Sequence, residues 1–229
     1  MLEFFKLFIC FIVFSFIGWC IEVSYRSYVE KRFVNRGAFI GPICPIYGWG
    51  FILIHFLLSK YRSDPIILFL TSMITSMILE YVMSYLCEKI FRVRLWDYSK
   101  RSFNVNGRVS LETAIPFGLL GMLVVYILFP LSERLLNSLP DYLIYIVASL
   151  FLIIFLIDLV LTLNIFIKFK STVQDVRKDS TEDINNLFKK DIYTKTPKLM
   201  KRFINAYPNL RDYWNKLLDN LAKLNDRQN

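Results

Sequence analysis

The stretch Tyr142–Ile167, YLIYIVASLFLIIFLIDLVLTLNIFI, is predominantly apolar and carries a single charged side chain, Asp158. An apolar run longer than about 18 residues is long enough to cross a bilayer as a helix. Working outward from it in windows of about 19 residues, four more stretches read the same way: Phe4–Val23, Ile40–Leu58, Ile66–Cys87 and Leu111–Leu131. The expected fold is therefore all-α, a polytopic membrane protein with five transmembrane helices and a helical cytoplasmic tail. Composition agrees. Of 229 residues 55% are hydrophobic and only 21% charged, with mean hydropathy +0.42, whereas a soluble domain holds about 45–50% apolar and 25% charged residues. With 21 Phe against 8 Gly and 8 Pro, collagen-like, linker-like and disordered classes are excluded. All glycines lie in the first 121 residues, and the chain turns polar beyond 170. This divides it into a transmembrane domain, 1–170, and a basic, amphipathic tail, 171–229.

The first apolar run is followed by Gly18-Trp19-Cys20-Ile21-Glu22, which lacks the small residues of a signal-peptidase site, so it is expected to stay as a span. Loop lysines and arginines set the direction. The first loop, the third loop and the near tail together carry fourteen, against four on the opposite side. The positive-inside rule then places the N-terminus outside and the C-terminus in the cytoplasm of a multi-pass protein of the cell membrane. The formal net charge of +9 becomes a property of the cytoplasmic surface, and its expected partner is anionic lipid headgroups, not nucleic acid. Four cysteines (10, 20, 44, 87) form no CxxC pair, and His55 is the single histidine. No metal site and no cofactor are expected from that set.

In the tail, Ser180 with Asp183 and Thr196-Pro197 read as helix starts. Leu210, Trp214, Leu217, Leu218, Leu221 and Leu224 then recur at helical spacing. Such a stripe lies on the bilayer surface, packs on the protein's own loops, or forms a homo-oligomer contact.

Two segments resemble each other. Trp19–Arg26 and Tyr85–Arg92 both read aromatic-x-x-Glu-x-x-aromatic-Arg, each followed by a basic loop, an Asn/Arg/Gly group and a Pro/Gly-interrupted span. Spans one–two and three–four would then be parallel repeats. Helical i,i+4 spacing places Glu22 beside Arg26 and Glu88 beside Arg92. Within the spans, Glu80 and Asp158 each cost about 2.5–3.5 kcal/mol on insertion scales, so each must face the protein interior, pair with a cation or take up a proton. The segment Asn35–Gly50, NRGAFIGPICPIYGWG, holds two prolines three apart and four glycines. It cannot be an unbroken helix, and broken backbone at membrane depth has to be buried in protein or line a watery cavity. Its freed amides, beside Arg36, would suit an anionic or strongly polar group.

Gly18-Trp19-x-x-Glu22, the Asn35–Gly50 block, Leu79-Glu80-Tyr81, Trp96-Asp97-Tyr98-Ser99 and Phe103-Asn104-x-x-Gly107-Arg108 resemble, in this order, the bacterial membrane family described as ABC-transporter type IV (CmpB-like). The likeness covers roughly residues 10–130. It implies a permease. Because the chain holds no GxxxxGK[ST] segment, an ATPase would be a separate subunit. On this reading the substrate-binding residues are Glu22, Arg26, Asn35, Arg36, Glu80, Trp96, Asp97, Asn104, Arg108 and Glu112. Arg36 and Arg108 would bind an anionic group, Glu80 and Glu112 would pair with them or exchange protons, and Asp97 and Asn104 would order the third loop. Two other readings stay open on the residues alone: an intramembrane enzyme acting on a lipid or lipid-linked substrate, and a non-catalytic accessory protein.

Overall fold

The structure, a computed structural model, describes residues 1–37, 39–91, 94–178, 201–202 and 206–207. It is a helical bundle in the order α1 (Leu2–Glu30), α2 (Pro45–Leu58), α3 (Pro65–Phe91), a two-stranded ribbon β1 (Asn104–Val105) and β2 (Val109–Ser110), α4 (Leu111–Leu123), α5 (Phe129–Asn137) and α6 (Asp141–Lys178). Four helical stretches are long and apolar enough to cross a membrane: Leu2–Glu30, Pro65–Ile90, Leu111–Asn137 and Asp141–Ile167. The protein is thus a multi-pass, mostly helical membrane protein.

The second expected span differs. Helix begins at Pro45, not Ile40, and α2 has 14 residues, about 21 Å at 1.5 Å per residue. Pro42 and Pro45 decide this. Neither can donate within a helix, and Pro45 is tolerated where helices start. The preceding backbone finds acceptors elsewhere, with Cys44 N–H donating to Ser15 O of α1 at 2.9 Å.

Local sequence fixes the other starts. Asp64 Oδ1 accepts from Ile66 N and Ile67 N at 3.0 Å, capping α3 behind Pro65. Ser110 and Thr113 form a reciprocal capping box at the start of α4. Between α4 and α5 the chain makes a π-helical turn, Val124–Leu128, immediately before Pro130, whose missing N–H disrupts the regular ladder. The fourth span therefore continues to Asn137.

The helices pair α1 with α2 and α3 with α4 through small residues. A Cβ on Gly48 would collide with Ser15 and with the Phe11 carbonyl, and one on Gly121 would collide with Ser72. Without a hydrophobic drive between helices in lipid, such close approach supplies the dispersion energy that holds a membrane bundle together. Phe14 stacks on Phe51 with ring centroids 3.9 Å apart, inside a core that also holds Ile54, Leu58, Leu68, Val124 and Val125. His55 lies against the Phe129 ring, with Nδ1 3.1 Å from Ser59 Oγ. α6 packs on α1, leaving Ile146, Leu150, Ile153, Ile157 and Val160 exposed as lipid-facing residues would be.

The β ribbon is an addition to the expected all-α fold. Asn106 and Gly107 both have positive φ, as the type I′ hairpin turn requires, and Asn-Gly between Val105 and Val109 is a sequence signal for it. The tail starts at Ser180 and Thr196 and its Leu/Trp stripe lie outside the described residues, as does Arg92.

Candidate functional site

At the end of the bundle where α1 and α3 finish and α2 and α4 begin, five elements converge on a cluster of carboxylates and phenols with one guanidinium. Glu22 projects from α1 about two turns before its end. Tyr47, in the first turn of α2, donates its hydroxyl to Glu22 Oε1 at 2.9 Å. Gly18 makes room for this, because a Cβ there would strike the Tyr47 ring. Arg36 arrives from the irregular segment with Nε 3.8 Å from Glu22 Oε2, an ion pair too long to be a hydrogen bond. The Arg36 side chain is 16% exposed, and its Nε has no hydrogen-bond partner among the described residues.

Glu80 enters from α3. Tyr98, in the loop after α3, donates its hydroxyl to Glu80 Oε1 at 2.9 Å, while Oε2 is buried with no hydrogen-bond partner among the described residues. Tyr98 ties the two halves together. Burial first, then the Glu80 carboxylate, pushes its phenol well above the usual range, and Glu22 and Arg36 also act on it. Two carboxylates, each holding a tyrosine hydroxyl, thus lie in one cluster, and the guanidinium of Arg36 pairs with Glu22 alone.

A second constellation holds the broken segment. Asp158 of α6 accepts Ile40 N–H and Gly41 N–H at 2.9 Å each, and Thr162 Oγ1 at 3.1 Å. The amides expected to suit an external anion are filled by a carboxylate of the chain itself. Arg202, from the tail, donates to the carbonyls of the same turn: Ile40 at 2.8 Å, Gly37 at 3.3 Å, and Phe39. Tyr207 donates to Arg36 O at 2.6 Å, and its ring centroid lies 5.0 Å from the Arg36 guanidinium carbon, a cation–π contact.

The remaining expected residues fall into two groups. Arg26 pairs with Glu30 at 2.7 Å instead of with Glu22, because Glu22 turns toward α2. Asn35 Oδ1 accepts Trp19 Nε1 at 2.8 Å and Gly37 N at 3.0 Å, shaping the turn that presents Arg36. The others belong to a separate clasp on α3. Arg108, 8% exposed, places Nη2 2.7 Å from Glu88 Oε2 and donates Nη1 to Ser84 at 3.2 Å. Its guanidinium lies over the Tyr81 and Tyr85 rings. Arg94 Nε reaches the same Glu88 oxygen at 2.8 Å. Trp96 Nε1 donates to Arg108 O at 2.9 Å.

Asp97 accepts the Ser99 amide at 2.9 Å and the Ser99 hydroxyl, and these bonds hold its carboxyl below the usual range. Asn104 bridges Arg101 O and Gly107 N at 2.8 and 3.0 Å. Glu112 departs from expectation. It is half exposed and neutralised by Arg101 at 2.5 Å, with no ion pair to Arg36 or Arg108. The reading of the residues missed Tyr47, Tyr98, Arg202 and Tyr207. Tyr98 sits inside a quoted motif, but Arg202 and Tyr207 lie more than 160 residues from the groups they touch, with no sequence signal linking them.

These elements define a polytopic helical membrane protein with a buried mixed-charge cluster beside a broken helix. The chain belongs to the family described as "Putative ABC-transporter type IV", whose model matches residues 9–163. That match runs from α1 through Asp158 and Thr162 of α6, beyond the stretch in which the motifs were read. No curated protein and no solved structure matches the chain.

Proposed function

We propose that this protein is the membrane-embedded, permease-like component of a transporter, with a polar site at the cytoplasmic face formed by Glu22, Arg36, Tyr47, Glu80 and Tyr98. The observation that carries the reading is Glu80, a buried span carboxylate kept despite an insertion cost of about 2.5–3.5 kcal/mol, in a member of an ABC-transporter family. ATP hydrolysis would come from a separate subunit, since no GxxxxGK[ST] occurs in the 229 residues.

The distribution of lysine and arginine supports an outside N-terminus and a cytoplasmic C-terminus in the cell membrane. The fifth crossing is α2 completed by the irregular segment before it. A helix of about 21 Å falls short of a hydrocarbon core of about 30 Å, and broken backbone buried against Asp158 and Arg202 is the permitted way to span the difference. The two helix pairs form a parallel repeat. Anionic headgroups engage the basic cytoplasmic face, and residues 171–229 form the tail domain, whose apolar stripe meets the bilayer surface or a second copy.

Topology is tested by single cysteines in a Cys-free background. Ser63 is expected to be labelled by an impermeant thiol reagent outside intact cells and Ser102 to be shielded; strong labelling at Ser102 overturns the orientation. Function is tested in proteoliposomes with whatever ATPase co-purifies. Solute flux is expected that Glu22→Gln lowers at least tenfold. If no ATPase co-purifies and flux matches empty vesicles across a solute panel, the permease reading fails.

A further inference from the structure

Glu80 is the carboxylate in this cluster whose bonding capacity is only half met. It is 6% exposed; Tyr98 occupies one oxygen, and the other is buried with no hydrogen-bond partner among the described residues. No described lysine or arginine forms an ion pair with it. The neighbouring cations are engaged: Arg36 with Glu22 and Tyr207, Arg108 and Arg94 with Glu88, and Arg101 with Glu112. Around the site α1 contributes Glu22, the irregular segment Arg36, α2 Tyr47, the loop after α3 Tyr98 and the tail Tyr207. On its own helix Ser84 is engaged by Arg108, and Asp158 of α6 is held by backbone amides.

With Glu22 and Glu80 ionised and Arg36 charged, the cluster is one positive charge short. We propose that Glu80 Oε2, together with Glu22, binds a monovalent cation, either an alkali ion or the ammonium group of a solute. A proton alone would neutralise Glu80, and could be donated from Oε1 to the Tyr98 hydroxyl oxygen, but would still leave Oε2 buried without a donor. A coordinating ion or an N–H donor satisfies both the charge and the open lone pairs. The Tyr47 and Tyr98 hydroxyls donate to the carboxylates and each keeps lone pairs for the same cation. This deepens the permease reading by assigning the chemical class its site accepts.

The test is an equilibrium measurement on the purified full chain in neutral detergent, separate from any transport assay. Thermal unfolding midpoints are compared in sodium, potassium, ethanolammonium and choline chlorides at equal ionic strength, at pH 6 and pH 8. One of the first three is expected to raise the midpoint saturably above choline, by about 5–10 °C at a hundredfold excess over its dissociation constant. Half-saturation should move to higher salt at pH 6, where protons compete for the same oxygen. Sodium or potassium alone identifies an inorganic ion, and ethanolammonium alone identifies a solute amine. Glu80→Gln should abolish the shift, and Glu22→Gln and Tyr98→Phe, which serve if the first variant fails to fold, should weaken it at least tenfold in apparent affinity. Equal midpoints in all four salts, or an unchanged shift in all three variants, overturn the site. A pH effect removed by Glu80→Gln without any salt preference overturns it in favour of a proton. Loss of flux with an intact salt-dependent shift counts against the permease reading alone.

Discussion

The α1–α2 pair and the α3–α4 pair each set a glutamate near the end of the first helix against an arginine from the connection that follows, and they complete the pair differently. Arg108 meets Glu88 at 2.7 Å, shares that carboxylate with Arg94 and adds Ser84, while two tyrosine rings flank its guanidinium. The hairpin behind it is self-contained: Asp97, Asn104 and Gly107 satisfy its backbone within the same loop. Arg36 stands 3.8 Å from Glu22, and its connection cannot satisfy its own backbone. Asp158 and Arg202, from far along the chain, do that instead. One pair is a clasp made almost wholly within its own helix and loop, with only Arg108 Nε unpartnered among the described residues. The other is held by outside elements, and between the two pairs stands Glu80 of α3, bound to Tyr98 through one oxygen and unpartnered at the other. A site for a ligand belongs where polar groups are positioned but not mutually satisfied.

The largest effect expected from this contrast is at Asp158. Asp158→Ala leaves the Gly41 amide without an acceptor, at about 1–3 kcal/mol, and the Ile40 amide with only Thr162 Oγ1 at 3.3 Å, a smaller further loss. Unfolding in mixed micelles should show that loss, with hydrogen exchange rising over 37–44 and not over 96–110. If both connections loosen equally, they are not independent. Arg108→Ala should cost about 1–3 kcal/mol, below the 3–5 kcal/mol of a fully buried broken pair, because Glu88 is 38% exposed and keeps Arg94. Its exchange signature should be the mirror image, confined to the hairpin.

Gly107→Ala comes next. At φ +66°, and with a Cβ that would strike Ser99 and Asp97, it should cost about 1–3 kcal/mol and leave the Glu22–Arg36 side unchanged in the same experiment. The smallest effect is pH dependence at Asp97. Its folded carboxyl titrates below the usual value, so its contribution is complete above the unfolded value and is lost as pH falls through the folded one, below about pH 4. Hairpin exchange protection should fall there in the wild type and not in Asp97→Asn.

Much of the fold was legible because membrane-crossing helices need only long apolar runs and good starts. The third and fourth apolar runs open at Ile66 and Leu111, and α3 and α4 begin at Pro65 and Leu111. The second expected span is not among the helices long and apolar enough to cross, because its helix starts five residues late, at Pro45. A hydropathy window averages over Pro42 and Pro45, whereas a hydrogen-bond ladder does not. A list of polar residues in expensive places was legible, and two of them, Glu22 and Arg36, do pair. Their partners were not legible. Helical spacing favoured Glu22 with Arg26, yet the packing of α2 on α1 brings Tyr47 to Glu22 and leaves Arg26 to Glu30. The Asn-Gly turn was readable as a hairpin and went unread within a repeat motif.

By itself, the sequence determined the membrane class, the apolar stretches, the broken segment at Asn35–Gly50 and the carboxylates that lipid makes costly, because these follow from the length, composition and covalent geometry of short stretches of chain. Only the tertiary structure decided which carboxylate meets which cation. The Ile40 and Gly41 amides could have received an external anion or Asp158, more than 110 residues away. Arg36 could have stood open to an anion, but instead lies against the ring of Tyr207. Charge pairing falls off over a few ångströms, and distances on that scale are set by how helices pack, which no local reading of the chain contains.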